Sequence, residues 1–278
     1  MTIDRRQFAR VAGEGASIAF PSSAVDFRIA FLIVSVLYVA LAAGACGFDP
    51  VRSDREVSGS AALTSRPTTP TESLSAGKHA LDLAGQRDGF IYIPEVLDPD
   101  NSAPLLVLLH GASGLADNWE SAFFLADSLG IVLLAIDSRA GTWDVIQFGV
   151  YGPDVAFLDA ALEKTFRHVE VDPFRVGVGG FSDGASYALS VGLSNGDLFT
   201  HIVAWSPGFM VPTRQQGRPR VFISHGTLDA ILSVQTTRTQ IVASLEGTGY
   251  SVHFEEFLGG HEIPDAIAQQ AFDWFLEP

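Results

Sequence analysis

The feature that most constrains this chain is a serine enclosed by glycines, at the junction between an apolar stretch and a helical one. Residues 180–184 read Gly-Phe-Ser-Asp-Gly. The short stretch 175–179, apolar after Arg175, precedes them, and a stretch typical of a helix begins at residue 185. Glycines on both sides allow a tight strand-to-helix turn, because no side chain collides with the neighbouring backbone. Such a turn exposes the Ser182 hydroxyl at the end of a sheet. The motif alone arises by chance in Gly-rich and Ser-rich chains, and its strand and helix flanks give it weight.

Strand and helix patterns alternate from residue 79 to the C-terminus. Strands are predicted over residues 79–83, 89–94, 104–110, 131–136, 175–179, 201–205, 220–224 and 251–257, and helices over 117–129, 153–167, 234–247 and 264–276 and after the glycine-enclosed serine. Continuous apolar runs such as residues 104–110 are typical of strands buried on both faces. The pattern predicts a mostly parallel central sheet with helices on both faces, opened by an antiparallel hairpin. Only a short loop fits between residues 205 and 220, so no large cap domain is expected.

Composition excludes some classes of partner and site. The net charge of −15 argues against nucleic acid, because phosphate binding requires a basic surface. The sequence has one cysteine and no paired Cys and His residues at zinc-ligand spacing, so no metal and no other cofactor is expected.

The N-terminal region predicts export. An apolar run over residues 27–45 ends in Ala-Gly-Ala before Cys46, which resembles a bacterial lipobox. Residues 1–46 are therefore predicted to be an export signal with Cys46 as the lipid attachment site, which implies an exported, membrane-anchored protein in the periplasm or at the cell surface. The alternatives are a cleaved signal and an uncleaved anchor. Residues 47–78, rich in Ser, Thr and Pro, are predicted to be a flexible tether, and residues 79–278 the globular domain.

Ser182 needs a general base, and the base needs a carboxylate that orients it. His261 follows a predicted strand and two glycines that let its loop swing back over Ser182. His110 and His225 directly precede glycines at strand ends, and they are expected to line the floor of the site or to hydrogen-bond the loop backbone.

The preferred carboxylate is Asp229, which lies just beyond the strand predicted over residues 220–224. The other acids considered are Asp265, Asp137 and Asp183. Asp229 could alternatively serve as the N-cap of the helix predicted from residue 234.

Backbone N–H groups that could stabilise a tetrahedral intermediate are expected in two places. One lies in the loop that follows the third predicted strand, residues 110–114, and the other belongs to the residue after the nucleophile. These donors are assigned to Ala112, with Ser113 as the alternative, and to Asp183.

Large side chains on the strand-end loops are candidates for a substrate pocket. Trp143, Phe209 and Met210 are the predicted pocket residues, with Phe148 and Tyr151 as further candidates. The alternative is that these side chains pack beneath their own loops.

Four stretches, residues 109–114, 171–185, 224–229 and 259–261, together resemble the bacterial phospholipase and carboxylesterase-type esterases of the α/β-hydrolase superfamily. These enzymes are neighbours of polyhydroxybutyrate-depolymerase-like, feruloyl-esterase-like and acyl-protein-thioesterase-like enzymes. The resemblance runs from about residue 81 to the C-terminus. It implies the α/β-hydrolase fold, with Ser182, Asp229 and His261 as a catalytic triad. The chain departs from the lipase type because His110 and Gly111 lack the further glycines of that loop.

The expected activity is that of a serine esterase, which cleaves a small-molecule or polymeric carboxylic ester through an acyl-enzyme. A thioesterase or peptidase of the same fold is one alternative. A surface-displayed binding protein that has the fold without the chemistry is the alternative from another class.

Overall fold

The computed structural model describes residues 57–97 and 101–278, and within them eight strands form one sheet in the order β1-β2-β4-β3-β5-β6-β7-β8. The strands are Gly77–Ala80 (β1), Gly89–Ile93 (β2), Ala103–Leu109 (β3), Val132–Ile136 (β4), Val171–Phe181 (β5), His201–Trp205 (β6), Arg220–Gly226 (β7) and Val252–Phe257 (β8). β1 and β2 pair antiparallel, as do β2 and β4, and every pair from β4 across to β8 is parallel. The predicted mostly parallel sheet with an antiparallel hairpin at its edge is confirmed.

Helices cover both faces of this sheet. They are Phe123–Leu129 (α1), Asp144–Phe148 (α2), Pro153–His168 (α3), Asp183–Ser194 (α4), the consecutive segments Val234–Thr236, Thr237–Val242 and Ala243–Gly247 (together α5), and Asp265–Leu276 (α6). A 3-10 helix, Ala116–Ala122, leads into α1. Alternate residues of β3 enter two cores: Leu105 and Val107 pack on the α3 and α4 side, while Leu106 packs on the α1 and α6 side. This alternation is why β3 reads as a continuous apolar run.

Residues 57–78 pack against the sheet domain, so the prediction of a flexible tether is wrong for this part of the chain. Ala61 and Leu63 are buried in the core. The Leu63 N–H donates to Asn195 Oδ1 at 2.8 Å, and Asn195 Nδ2 donates to the Ala61 carbonyl at 2.7 Å. The composition of this segment carries no sign of these contacts, because its partners lie more than a hundred residues further along the chain.

The predicted export signal, Cys46 and residues 47–56 lie outside the described residues, so the predictions made for them stay predictions. Among the residues that the structure describes, none of the helices has the length and apolar character needed to cross a membrane.

The connection between β6 and β7 is a loop held against α4 by a ladder of serines. Ser186, Ser190 and Ser194 are spaced by four residues, and each hydroxyl donates to the carbonyl four residues earlier. The same hydroxyls accept loop N–H groups at 3.0, 2.9 and 3.1 Å, from Gly208, Val211 and Thr213 respectively. The loop therefore lies along α4, and within the described part of the chain no large cap domain covers the strand ends, as predicted.

Candidate active site

Ser182 occupies a strained turn between β5 and α4. Its φ of 58° and ψ of −117° place a non-glycine residue in a sparsely populated backbone region. The flanking glycines are sterically required: a Cβ on Gly184 would lie 2.1 Å from the Leu109 carbonyl oxygen, and one on Gly180 would lie 2.4 Å from the Gly184 backbone. The turn thus forms only because both glycines let β3, β5 and α4 approach closely.

Three predicted residues, from three separate strand ends, meet in one hydrogen-bonded chain. His261 Nε2 lies 2.8 Å from Ser182 Oγ, and His261 Nδ1 lies 2.6 Å from Asp229 Oδ2. Because a carboxylate only accepts, Nδ1 carries a proton, and Nε2 of the neutral ring is free to accept from the serine hydroxyl. This is the geometry required of a base that is oriented by an acid.

The Asp229 side chain is fully buried and well supplied with donors. Its Oδ1 accepts the N–H groups of Ile231 and Leu232, both at 2.8 Å. Burial opposes ionisation, but the hydrogen bonds from Leu232, His261 and Ile231 outweigh it and lower the pKa of Asp229. Asp229 does not cap α5, because Ser233 is the N-cap residue and its hydroxyl accepts from the Thr236 N–H.

The loop after β3 lies directly against Ser182. A Cβ on Gly111 would lie 3.3 Å from the Ser182 Cβ. The Ser113 N–H donates to the Gly141 carbonyl at 2.7 Å, which leaves Ala112 as the better candidate for the first oxyanion donor. Asp183 is the first residue of α4, and the first N–H groups of a helix have no acceptor within the helix. Its N–H is therefore the candidate for the second oxyanion donor.

No family profile and no curated protein matches this sequence. Solved structures do match. A Bacillus cereus carboxylesterase shares 21% identity with a TM-score of 0.52, and the match covers 69% of this chain and 94% of that one. A ferulic acid esterase from Anaeromyces mucronatus, solved with ferulic acid, shares 15% identity with a TM-score of 0.56, and the match covers 79% of this chain and 97% of that one. A fluorophosphonate-binding serine hydrolase of Staphylococcus aureus, solved with bound substrate, shares 14% identity with a TM-score of 0.57, and the match covers 73% of this chain and all of that one.

The chain has an α/β-hydrolase fold. At these identities the similarity establishes the fold, and what the site can do is argued from its own residues.

His110 fixes the loop that carries Ala112. Its Nδ1 donates to the Gly111 carbonyl at 2.7 Å, and its Nε2 accepts from the Ser138 N–H at 2.9 Å. Burial lowers the pKa of His110 and keeps the ring neutral. Because the carbonyl and the N–H of a trans peptide point in opposite directions, holding the Gly111 carbonyl also directs the Ala112 N–H. The prediction that His110 hydrogen-bonds loop backbone is confirmed.

Sequence reasoning missed the side chains that tie the loop after β4 to the site. The Thr142 hydroxyl donates to Asp183 Oδ2 at 2.6 Å. Burial raises the pKa of Asp183, and the Thr142 hydrogen bond and the nearby His261 act in the opposite direction. Thr142 carried no signal in the sequence, because this contact spans forty-one residues and depends on the fold of the loop.

Two buried aspartates hold the same loop. Asp144 Oδ2 accepts the Gly152 N–H at 2.8 Å, and Asp154 Oδ2 accepts the Asp144 N–H at 2.6 Å. Burial raises the pKa of Asp154 to about 6. These carboxylates accept loop N–H groups that would otherwise need backbone carbonyl partners in a helix or a sheet.

The pocket prediction is wrong for Trp143. The side chain is buried beneath its loop, where Nε1 donates to the His110 carbonyl at 2.9 Å and the ring stacks on Tyr187 at 4.8 Å. Tyr151 is also buried, and its hydroxyl donates to the Val211 carbonyl at 2.7 Å. An indole that packs under a loop satisfies both its apolar surface and its N–H, which explains why this alternative prevails.

The other pocket candidates retain some exposure. Phe209 and Met210 are not fully exposed, and Met210 also packs against the core, whereas Phe148 is exposed.

Three exposed apolar side chains on the loops of Asp229 and His261 are not among the predicted pocket residues. Leu228 is 67% exposed, Ile231 55% and Leu258 86%. Leu228 and Ile231 flank Asp229, and the Leu228 N–H donates to the Gly259 carbonyl at 2.9 Å, which brings the loops after β7 and β8 together. Leu228, Ile231 and Leu258 are therefore exposed apolar side chains on the two loops that carry Asp229 and His261.

Proposed function

We propose that this protein is a serine hydrolase that cleaves carboxylic esters through an acyl-enzyme. The observation that carries the proposal is the position of His261, whose two ring nitrogens lie 2.8 Å from Ser182 Oγ and 2.6 Å from the buried Asp229. A serine held at φ 58° on a glycine-enclosed turn, with a base in line, has no evident structural use.

In the proposed reaction, Ser182 Oγ attacks the ester carbonyl carbon while His261 Nε2 takes its proton. The oxyanion accepts hydrogen bonds from the Ala112 and Asp183 N–H groups. The tetrahedral intermediate collapses as the C–O bond breaks, and His261 returns the proton to the leaving alcohol. Water then attacks the acyl-enzyme with His261 again as base, which releases the carboxylic acid and restores Ser182. Asp229 holds the His261 tautomer and balances the imidazolium charge.

The surroundings of the site favour an ester with an apolar portion. Leu228, Ile231 and Leu258 are exposed on the loops that carry the proposed acid and base, and the β6–β7 loop lies along α4. An uncapped site of this kind could accept a small-molecule ester or an ester group on a polymer. The similar structures include a carboxylesterase and a ferulic acid esterase, which supports esters as the substrate class.

The direct test is hydrolysis of p-nitrophenyl acetate and butyrate by Ser182→Ala. We expect the rate to fall to background while the circular dichroism spectrum and the unfolding midpoint remain those of the parent. Ser128→Ala, on the exposed end of α1, is the matched control and should retain full activity. Parental activity in Ser182→Ala would refute the proposal.

Assays on the unsubstituted protein separate this proposal from its two alternatives. A thioesterase or a peptidase of this fold would prefer a thioester or an anilide over the oxygen ester of the same acyl group. A binding protein without chemistry would form no covalent adduct between Ser182 and a fluorophosphonate probe.

We also propose that the protein is exported and anchored to a membrane through Cys46. The support is the apolar run over residues 27–45 and the small residues before the cysteine. Expressed from its own leader, the protein should fractionate with membranes, and Cys46→Ala should release it or leave it unprocessed. Parental fractionation and processing of Cys46→Ala would favour the uncleaved anchor.

A further inference from the structure

A second histidine lies against the buried carboxylate. His225, near the end of β7, has no exposed side-chain surface, and its Nε2 lies 3.1 Å from Asp229 Oδ2. The same nitrogen lies 3.1 Å from the Leu232 carbonyl oxygen. Both neighbours of Nε2 are acceptors only, so Nε2 must carry a proton.

The other ring nitrogen of His225, Nδ1, faces a hydroxyl group. His225 Nδ1 lies 2.9 Å from the Thr237 hydroxyl on α5, and that hydroxyl lies 3.0 Å from the Pro207 carbonyl oxygen. Because Nε2 carries the proton of the neutral ring, Nδ1 is an acceptor, and the single proton of the Thr237 hydroxyl can go either to Nδ1 or to the Pro207 carbonyl. The ring lies between β7 and α5, with a polar contact on each edge.

Asp229 Oδ2 consequently faces two imidazoles. His261 Nδ1 approaches it at 2.6 Å and His225 Nε2 at 3.1 Å, while Oδ1 is occupied by the two N–H groups of the loop. Three hydrogen-bond donors give the carboxylate a defined rotamer. The His225 Nε2–H, which is hydrogen-bonded to the Leu232 carbonyl, is a fourth polar group that lies against the negative charge at 3.1 Å. Of the two side chains that contact the carboxylate, His225 is the one that does not belong to the proposed proton-transfer chain.

We propose that His225 is a positioning residue, whose Nε2–H holds the Asp229 carboxylate in register with His261 and limits how strongly that carboxylate stabilises protonated His261. The inference rests on the proposed function. His225 itself contacts neither the nucleophile nor the oxyanion loop in the contacts described above, so it acts through Asp229.

The sign of the effect follows from charge. Without the His225 donor, Asp229 carries less compensated negative charge, and the protonated form of His261 gains stability. The base then stays protonated to higher pH, and the acid limb of kcat/KM moves upward. The titratable groups that act on His225 are Asp229 and His261, and Asp183 acts on His261 from the start of α4.

The test compares two amides at position 225. The amide nitrogen of Gln reaches approximately the place of the imidazole Nε2, whereas that of Asn, one methylene shorter, does not. For His225→Asn we expect kcat to fall about tenfold with KM unchanged, and the acid limb of the pH profile to rise by about one pH unit, the size expected for losing one N–H group beside a buried charge. His225→Gln should restore most of the lost kcat and bring the acid limb most of the way back to its parental pH. His253→Asn, on the neighbouring strand β8 opposite Phe222, is the control and should match the parent.

Two results would overturn the inference. One is an acid limb in His225→Asn that coincides with the parental limb, and the other is a His225→Gln variant as impaired as His225→Asn. If neither variant folds, ¹H–¹⁵N spectra of the unsubstituted protein still decide, since an unprotonated His225 Nε2 contradicts the geometry. Ser182→Ala separates the two proposals: if it abolishes activity while position 225 has no effect, only the role of His225 fails.

Discussion

Gly184→Ala is the substitution whose effect can be worked out most directly from the structure. The new Cβ would lie 2.1 Å from the Leu109 carbonyl oxygen and 2.6 Å from the His110 carbonyl oxygen, whereas ordinary contact begins at 3.4 Å. Both obstacles are backbone atoms, so no side chain can rotate away. The start of α4 and the loop after β3 must separate by about 1 Å, and overpacking of this kind costs about 1–3 kcal/mol of unfolding free energy.

The same displacement moves the proposed oxyanion donors, since Asp183 lies on one side of the contact and Ala112 on the other. A misplacement of about 1 Å at a reacting centre can cost about a hundredfold in rate. We therefore expect kcat/KM for p-nitrophenyl acetate to fall by about that factor, together with a lower urea midpoint. Gly247→Ala is the control, because its Cβ would meet nothing within 4 Å. Activity and stability of Gly184→Ala within the range of this control would refute the steric argument.

Three further substitutions test parts of the fold through urea unfolding. Ser190→Ala removes the acceptor of the partly buried Val211 N–H and should cost about 1 kcal/mol, the net contribution of one hydrogen bond; an unchanged midpoint would mean that the loop is not held by the serine ladder. Leu63→Ala should cost about 2–5 kcal/mol because its side chain is in the core, whereas a flexible tether would lose nothing. Burial, with Arg220 and Arg175 nearby, lowers the pKa of His201 to about 4, so the folded protein binds fewer protons than the unfolded chain between that pH and about 6.5. Stability should therefore fall as pH falls through this window, by up to about 3 kcal/mol, and this component should be missing in His201→Asn.

The residues proposed for catalysis could be located from sequence because a parallel sheet places all its strand ends at one edge. Ser182, Asp229 and His261 each follow an apolar run by a few residues, and nothing else about the intervening chain is needed to bring them to the same edge. Their mutual distances follow from strand order, in which β5, β7 and β8 lie on one side of β3. The prediction thus depended on topology, which apolar patterning specifies well.

Contacts that depend on the path of a loop were not predictable in the same way. Trp143 has the same sequence signature whether it lines a cleft or packs beneath its loop, and only the position of the His110 carbonyl and the Tyr187 ring decides between them. Residues 57–78 have the composition of a linker, and two apolar side chains with one asparagine partner suffice to dock them. The serine ladder is the exception, since its four-residue spacing on a predicted helix is visible in the sequence and indicates a polar stripe that must find partners.

An uncapped site needs another means of holding its geometry, and in this chain buried polar side chains supply it. His110 holds the loop after β3, Asp144 and Asp154 the loop after β4, and His225 the carboxylate after β7. Each of these groups hydrogen-bonds to a loop or to the carboxylate that the loop carries, so each loop has an anchor of its own. Because a buried polar group left without its partner is costly, these anchors hold the loops in one conformation more strictly than apolar packing alone. The strand ends can therefore stay uncapped while the atoms around Ser182 keep their positions.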